Sequence, residues 1–297
     1  MSEKRRVVIF GATGQLGTDL VEVFAKSEDA EVLPLTHDNG DCTDPVAVRN
    51  LLLGAHPQIV INSAAYVRVD DCEDSAREAF DVNAIGALNV ARVCAELDAL
   101  CVYISTDYVF DGNKATPYVE SDPACPINVY GASKLAGEFL IRQTAPRWLI
   151  VRAASLFGRT GAKGKGGNFV ETILAKAKAG QALTIVNDVR MTPTYTRDAA
   201  SALVLLLAHG AEGIVHLTND GTCSWYEFAK KALELTERRA SLTPVSATEY
   251  PTRARRPKNS ALMSERALVE LRSWQDALKA YLLEKGHISA SLAVHEP

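Results

Sequence analysis

Apolar positions follow two rhythms along this chain, one of strands and one of helices. Val7-Val8-Ile9-Phe10 is a short unbroken apolar run, as expected of a strand buried on both faces of a parallel sheet. Gly11 ends it, and Leu16, Leu20, Val23 and Phe24 then recur at helical spacing. Glu31 to Leu35 reads as a second strand. A helix carrying Val46, Val48, Leu51, Leu52 and Leu53 comes next, then a third strand from Pro57 to Asn62. Asp74 to Leu97 is long and Ala-rich, with Phe80, Ala84, Leu88 and Ala91 near every fourth residue, and predicts one continuous helix. Cys101 to Ser105 is a fourth strand, Val129 to Gln143 a helix and Trp148 to Ala153 a fifth strand. This alternation predicts an α/β fold, a doubly wound, mostly parallel Rossmann sheet covered by helices on both faces.

Beyond Phe157 the texture changes. Residues 158–167 hold five glycines and predict a loop, either a lid over a nearby site or a plain surface connection. Helices are expected at Phe169–Ala179 and Arg197–His209, with a strand at Leu183–Val186 between them. Ser224 and Glu227 have capping-box spacing. Pro244 to Lys258 reads as irregular, and Ser273 to Lys279 opens a terminal helix. The expected division is 1–155 and 182–210 for a dinucleotide-binding domain. A smaller, discontinuous α/β substrate domain takes 156–181 and 211–285, and 286–297 form a frayed tail.

Composition narrows the classes. The chain has 297 residues, 47% of them hydrophobic, enough for one large core or two modest ones. Its net charge of -4 argues against a broad basic surface for nucleic acid or anionic lipid. Two local basic clusters, Lys163 with Lys165 and Arg253, Arg255, Arg256 with Lys258, are exceptions that could meet a phosphorylated substrate or simply face solvent. The six cysteines show no CxxC spacing, and Cys94 and Cys101 fit apolar positions of a helix and a strand. A reducing cytoplasm is expected, with neither signal peptide nor membrane span. Scattered histidines without HExxH spacing suggest no metal.

Candidate chemistry lies at two places. Gly11, Gly14 and Gly17 form GxxGxxG directly after the first strand. Glycines there permit a tight turn, close approach of backbone to a pyrophosphate, and contact between helix and sheet. The helix N-terminus beyond Gly14 offers free amides and a favourable dipole. The second strand ends near Leu35-Thr36 without a plain ribose-binding carboxylate; His37 and Asp38 lie just beyond. The expectation is NADPH, with NADH also accepted. Asp44 before Pro45 reads as a helix cap. At the other place, Tyr130 and Lys134 stand four apart on a predicted helix, so a phenol and an ammonium share one face. Lysine charge favours phenolate and eases proton transfer. Ser105-Thr106-Asp107 closes the fourth strand, the edge where open sheets bind ligands.

These segments carry a resemblance. Gly11 to Gly17, Asp41-Cys42-Thr43-Asp44, Asn62 to Asp70, Ser105 to Gly112, Pro126 to Glu138 and Arg255 to Leu262 resemble the extended short-chain dehydrogenases/reductases. Within them the STDYVFDG and RRPKNSAL segments are similar to the dTDP-4-dehydrorhamnose reductase family. The resemblance implies that Gly11, Thr13, Gly14, Gln15, Leu16 and Gly17 line the pyrophosphate turn, and that Asp41 and Cys42 approach the adenine. It implies that Ala64, Ala65 and Tyr66 flank the cofactor, and that Thr106, Tyr130 and Lys134 form the catalytic group, with Tyr130 and Lys134 also on the cofactor. Val67, Asp107 and Arg256 would bear on the substrate with Thr106. It further implies reduction of the C4 ketone of dTDP-4-dehydro-L-rhamnose to dTDP-L-rhamnose by NADPH or NADH. Ser155 stands where the family often has a tryptophan against the sugar, which leaves another nucleotide-linked keto sugar open as substrate. The family includes a dinucleotide-binding regulatory subunit of methionine adenosyltransferase, a non-catalytic alternative. Homodimers and magnesium between subunits occur among relatives; a homodimer is left open here and no metal is expected.

Overall fold

The computed structural model describes residues 4–161 and 167–289. Six parallel strands make the main sheet: β1 (Arg5–Phe10), β2 (Ala30–Leu35), β3 (Ile59–Asn62), β4 (Leu100–Thr106), β5 (Trp148–Ala153) and β10 (Gly213–His216). Their spatial order is β10-β5-β4-β3-β1-β2. The chain steps one way from β1 to β2 and the other way from β3 onward, so the order reverses between β1 and β3. A crevice at the carboxyl ends of those two strands is where such sheets take ligands.

Helices cover both faces. On one, α1 (Gln15–Ala25) and α8 (Thr196–Ala208) bury Leu16, Leu20, Phe24, Leu203 and Leu206 against Val7, Ile9, Ile61, Val102 and Val151. On the other, α2 (Pro45–Ala55) and α5 (Gly86–Leu97) bury Val48, Leu52, Val90 and Cys94 against Val8, Phe10, Val60 and Cys101. Cys94 and Cys101 thus pack as apolar groups, as expected. Asp44 caps α2 by accepting from the amides of Val46 and Ala47, and Pro45 occupies the first helical position.

The expected continuous helix from Asp74 to Leu97 is instead interrupted. Short helices α3 (Val69–Asp74) and α4 (Ala76–Phe80) precede one wide turn, Asp81–Ile85, with hydrogen bonds to the fifth residue. A wide turn adds a residue and puts the segment before it about 100° out of phase with α5. Phe80 therefore leaves the buried stripe and is exposed, while Ala84, Ala87 and Ala91 stay inside. The turn drives Asn83 inward, where it is fully buried.

The smaller lobe has a core of its own, in which Phe157, Ile173, Phe228, Trp274 and Tyr281 pack together. It is built from α7 (Phe169–Lys178), α9 (Trp225–Leu235) and α10 (Trp274–Glu284) with three two-stranded pieces. β7 (Leu183–Val186) pairs in parallel with β12 (Leu242–Val245); β6 (Leu156–Phe157) pairs with β9 (Thr194–Tyr195), and β8 (Arg190–Met191) with β11 (Cys223–Ser224). Two expected boundaries move accordingly. Leu183–Val186 belongs with this lobe, although the sequence pattern places 182–210 in the dinucleotide-binding part. Gly213–His216 joins the main sheet, although the same pattern places 211–285 in the smaller one. A four-residue apolar strand looks alike in either place; its partner strand decides. The capping box at Ser224 and Glu227 is present, and Ser273 caps α10. The stretch from 244 to 258, expected to be irregular, includes the end of β12 and a single short helical turn, Ala247–Glu249. Residues 162–166, where the expected lid and Lys163 and Lys165 fall, and the tail from 290 lie outside the described residues.

Candidate active site

The expected site residues other than Arg256 lie at one edge of the main sheet because they follow the carboxyl end of a parallel strand or begin the helix after it. Gly11 leaves β1 at φ +73, and a Cβ there would meet the Ala64 amide nitrogen at 2.7 Å. The backbone after β1 and the backbone after β3 thus touch at the point where strand order reverses. A Cβ on Gly17 would sit 2.0 Å from the Gly11 carbonyl oxygen, so α1 can start against the turn only with glycine there. Gly14 precedes Gln15 at the α1 N-terminus, which has no side-chain cap and leaves its first amides facing out of the turn. Gln15 donates from Nε2 to the Leu156 carbonyl at 3.1 Å, tying this turn to the start of the smaller lobe. Leu16 is buried under the turn and Thr13 lies within it.

At the expected adenine edge, Asp41 accepts from the Thr43 amide at 2.9 Å and its hydroxyl at 2.8 Å. Burial would raise this carboxyl, but the two Thr43 bonds outweigh it and hold the group below the usual carboxylate range. Cys42 differs from expectation. Its thiol is buried against Gly86, and burial pushes its pKa up to about 11. The side chain belongs to the core, because Gly86 leaves room for sulfur, and it is not offered to a nucleotide. His37 and Asp38 are exposed, and Asn39 accepts from the Thr36 amide at 2.6 Å.

Beyond β3, Ala64 donates to Asn62 Oδ1 at 3.1 Å, and the Tyr66 segment is clamped by Asn83. Asn83 Oδ1 accepts from the Tyr66 amide at 2.8 Å, while its Nδ2 donates to the Tyr66 carbonyl at 3.2 Å and to Ser133 Oγ at 2.9 Å. The wide turn before α5 is what aims this amide. Ala64, Ala65, Tyr66 and Val67 are half-buried.

The expected catalytic residues Tyr130 and Lys134 lie on α6 (Val129–Thr144), whose N-cap Asn128 accepts from the Gly131 amide at 2.8 Å. A Cβ on Gly131 would lie 2.0 Å from the Tyr108 carbonyl oxygen, so the helix start is pressed onto the chain leaving β4. That contact sets Tyr130 beside Thr106. Burial raises the Tyr130 phenol, opposed by a hydrogen bond with the Thr106 hydroxyl. It is therefore a neutral phenol with a proton to give. Thr106 also donates to Asp107 Oδ1 at 3.0 Å. The rings of Tyr108 and Tyr130 meet edge to face with centroids 6.1 Å apart.

Lys134 is 1% exposed, and its Nζ lies 3.9 Å from the centre of the Tyr103 ring. Among the described residues no hydrogen bond reaches that nitrogen. Burial pushes its pKa down to about 7, against Glu138 and Cys42, which favour the ammonium. One turn further on, Glu138 accepts from Arg152 at 2.9 and 2.7 Å and from Ser105 at 2.5 Å. Breaking a buried pair of this kind costs about 3–5 kcal/mol.

Ser155, between β5 and β6, has φ +43 and is half-buried. Arg256 comes from the other lobe's long connection. Its Nη2 donates to Asp70 Oδ2 at 2.6 Å and its Nη1 to the Tyr108 hydroxyl at 3.3 Å. The Ala254 amide donates to Asp70 Oδ1 at 3.0 Å, and Arg253 pairs with Asp71 and Asp74. This strap is laid across α3 and brings Arg256 next to Tyr108. Sequence reasoning does not single out Asn83, Glu138, Tyr108 or Asp70 individually. A polar Asn inside an Ala-rich apolar stripe is the one available sign of the first.

The arrangement has a cradle for a dinucleotide at the reversal point, a neutral phenol, and a buried lysine one turn away. Together they suit hydride exchange with a carbonyl. Known proteins resemble the chain over nearly its whole length. A family model described as the RmlD substrate binding domain matches residues 5–286. The spore coat polysaccharide biosynthesis protein SpsK of Bacillus subtilis is 40% identical over 94% of this chain and 98% of its own. The dTDP-4-dehydrorhamnose reductase of Burkholderia thailandensis is 36% identical over 92% of this chain and 96% of its own. A crystal structure of dTDP-4-dehydrorhamnose reductase from Bacillus anthracis in complex with NADP has a TM-score of 0.89 and 36% identity, covering 95% of this chain and 99% of that one.

Proposed function

The chain belongs to the RmlD substrate-binding-domain family, and from that membership we propose that it reduces the C4 ketone of dTDP-4-dehydro-L-rhamnose to give dTDP-L-rhamnose with NAD(P)H. The observation that carries the chemistry is Tyr130, a protonated phenol against Thr106, four residues before the buried Lys134.

The residues present fit the cofactor. Glycine is required at 11 and 17 by contacts that any side chain would fill, and Lys134 Nζ is a buried donor without a protein acceptor among the described residues. The turn from Gly11 to Gly17 would hold the pyrophosphate, Ala64 to Tyr66 would flank the ring system, and Lys134 would bind ribose hydroxyls. The bound cofactor supplies hydride. Tyr130 gives its proton to the carbonyl oxygen as charge develops there, and Thr106 orients that oxygen through its hydroxyl. The Lys134 ammonium lowers the cost of the departing proton by stabilising the phenolate left behind. Asp107, Val67 and Arg256 are placed to contact the sugar nucleotide. β2 ends at Leu35-Thr36 without a carboxylate of its own, Asp38 is exposed and Asp41 is engaged by Thr43, which supports NADPH at least as strongly as NADH.

Purified protein should oxidise NADPH when given the keto sugar and not without it. Tyr130→Phe should lower kcat by roughly 10²–10⁴ with little change in NADPH affinity, the scale for a general acid. A near-normal rate in that variant would remove Tyr130 from the mechanism. Turnover of a different dTDP-keto sugar in place of this one would shift the substrate, and Ser155, where an aromatic surface is lost, is the feature that favours that second reading.

A further inference from the structure

Lys134 poses a physical problem. An ammonium in a dry site loses its proton unless a fixed opposite charge holds it. The groups facing it are the Tyr103 ring from β4, Tyr130 and Glu138 from its own helix, and Cys42 from the connection before α2. Arg152 from β5 stands behind Glu138. Tyr103 is uncharged, its phenol raised by burial, and donates to the Asn83 carbonyl at 2.6 Å. The Cys42 thiol is likewise raised by burial. Glu138 is left as the carboxylate of the set, and it is 1% exposed.

Taking the reductase reading as given, we infer that Glu138 is a positioning residue for catalysis, the fixed charge that keeps Lys134 an ammonium. Three features suit it to this. It lies at i+4 from Lys134 on α6, so the two side chains share a face. Three donors, two from Arg152 and one from Ser105, fix its oxygens and offset the cost of burying its charge. Its partner Arg152 pairs in register with Ser105 across β4 and β5, so the clamp is part of the sheet that carries Thr106 at its end. The carboxylate cannot swing away from the lysine without breaking all three bonds.

The test reads Lys134 directly in the cofactor-free protein and does not depend on turnover. Lysine labelled with ¹³C at the ε-carbon is followed by NMR from pH 5.5 to 10, and Lys134→Met assigns the signal. Glu138→Gln should lower the Lys134 midpoint by about one pH unit, the usual scale of a close charge. Glu138→Asp should return it towards wild type. Because Glu138→Gln leaves a buried guanidinium unpaired, Glu138→Gln/Arg152→Met is made alongside it and should show a smaller fall in the same direction. If neither folds, Glu138→Asp, which keeps a carboxylate but draws it back by one methylene, should still lower the midpoint by a smaller amount. An unchanged midpoint in the folded variants would overturn the inference and leave the pair a structural element. Absence of keto-sugar reduction by the wild type would instead defeat the reductase reading, leaving the titration result intact.

Discussion

The Lys134 side chain shows how burial changes the chemistry of a single residue. In water a lysine is a cation throughout the physiological range; at 1% exposure its pKa is about 7. Below that value the ammonium is present. Above it the amine is neutral and can no longer bind ribose hydroxyls as a charged donor or stabilise a phenolate. NADPH affinity should therefore be greatest on the acid side of pH 7 and fall as pH rises through it. Fluorescence titrations of NADPH at pH 6, 7 and 8.5 would check this, and the Lys134→Met variant should lose the dependence. A flat profile in the wild type would mean that cofactor binding does not use the charge. Tyr130 behaves in the opposite sense. Burial raises it and keeps it protonated, which is the form needed to reduce a ketone.

Elements place these side chains, and the wide turn at Asp81–Ile85 is the one with most influence for its length. It breaks a helix whose pattern reads as continuous, exposes Phe80, and turns Asn83 onto the Tyr66 segment and Ser133. Asn83 thereby couples the end of β3 to α6, the two pieces that carry the proposed cofactor and catalytic residues. Asn83→Ala removes three hydrogen bonds and leaves half-buried backbone groups of Tyr66 without their partner. The expected cost is about 2–3 kcal/mol of stability, with weaker NADPH binding. Urea unfolding and a cofactor titration measure both. Full stability and affinity in that variant would show that the turn acts through the backbone alone.

The whole molecule joins a six-stranded sheet domain to a smaller lobe, and the strap from Arg253 to Arg256 crosses between them onto α3. Asp70 holds the strap twice, through the Ala254 amide and the Arg256 guanidinium. Asp70→Asn should raise the KM for the nucleotide sugar by roughly tenfold, the equivalent of about 1.4 kcal/mol. NADPH affinity should be unaltered, because the strap reaches Tyr108 and not the glycine turn. Equal losses for both ligands, measured by steady-state kinetics and titration, would argue that the strap supports the fold generally. Among the described residues no helix is long and apolar enough to cross a membrane.

Much of this was legible in the chain itself. Apolar runs marked β1, β3 and β4, since a strand buried on both faces admits little else; the edge strand β2 carries Glu31 and is largely exposed, and β5 carries the paired Arg152. Gly11, Gly14 and Gly17 marked the turn, and the spacing of Tyr130 and Lys134 put them on one helical face, because local geometry alone governs such features. The helix caps at Asp44 and Ser224 are local for the same reason. Tertiary structure decided the rest. Gly213–His216 joins the main sheet and Leu183–Val186 does not, a choice made by partner strands distant in sequence. The Cys42 thiol enters the core because Gly86 leaves space for it. The Arg152–Glu138–Ser105 clamp, the hold of Asn83 on Tyr66 and that of Asp70 on Arg256 join residues from 14 to 186 positions apart. Hydrophobic period records which face of an element is buried; it carries no information on what that face will meet, and the charge of Lys134 depends on what it meets.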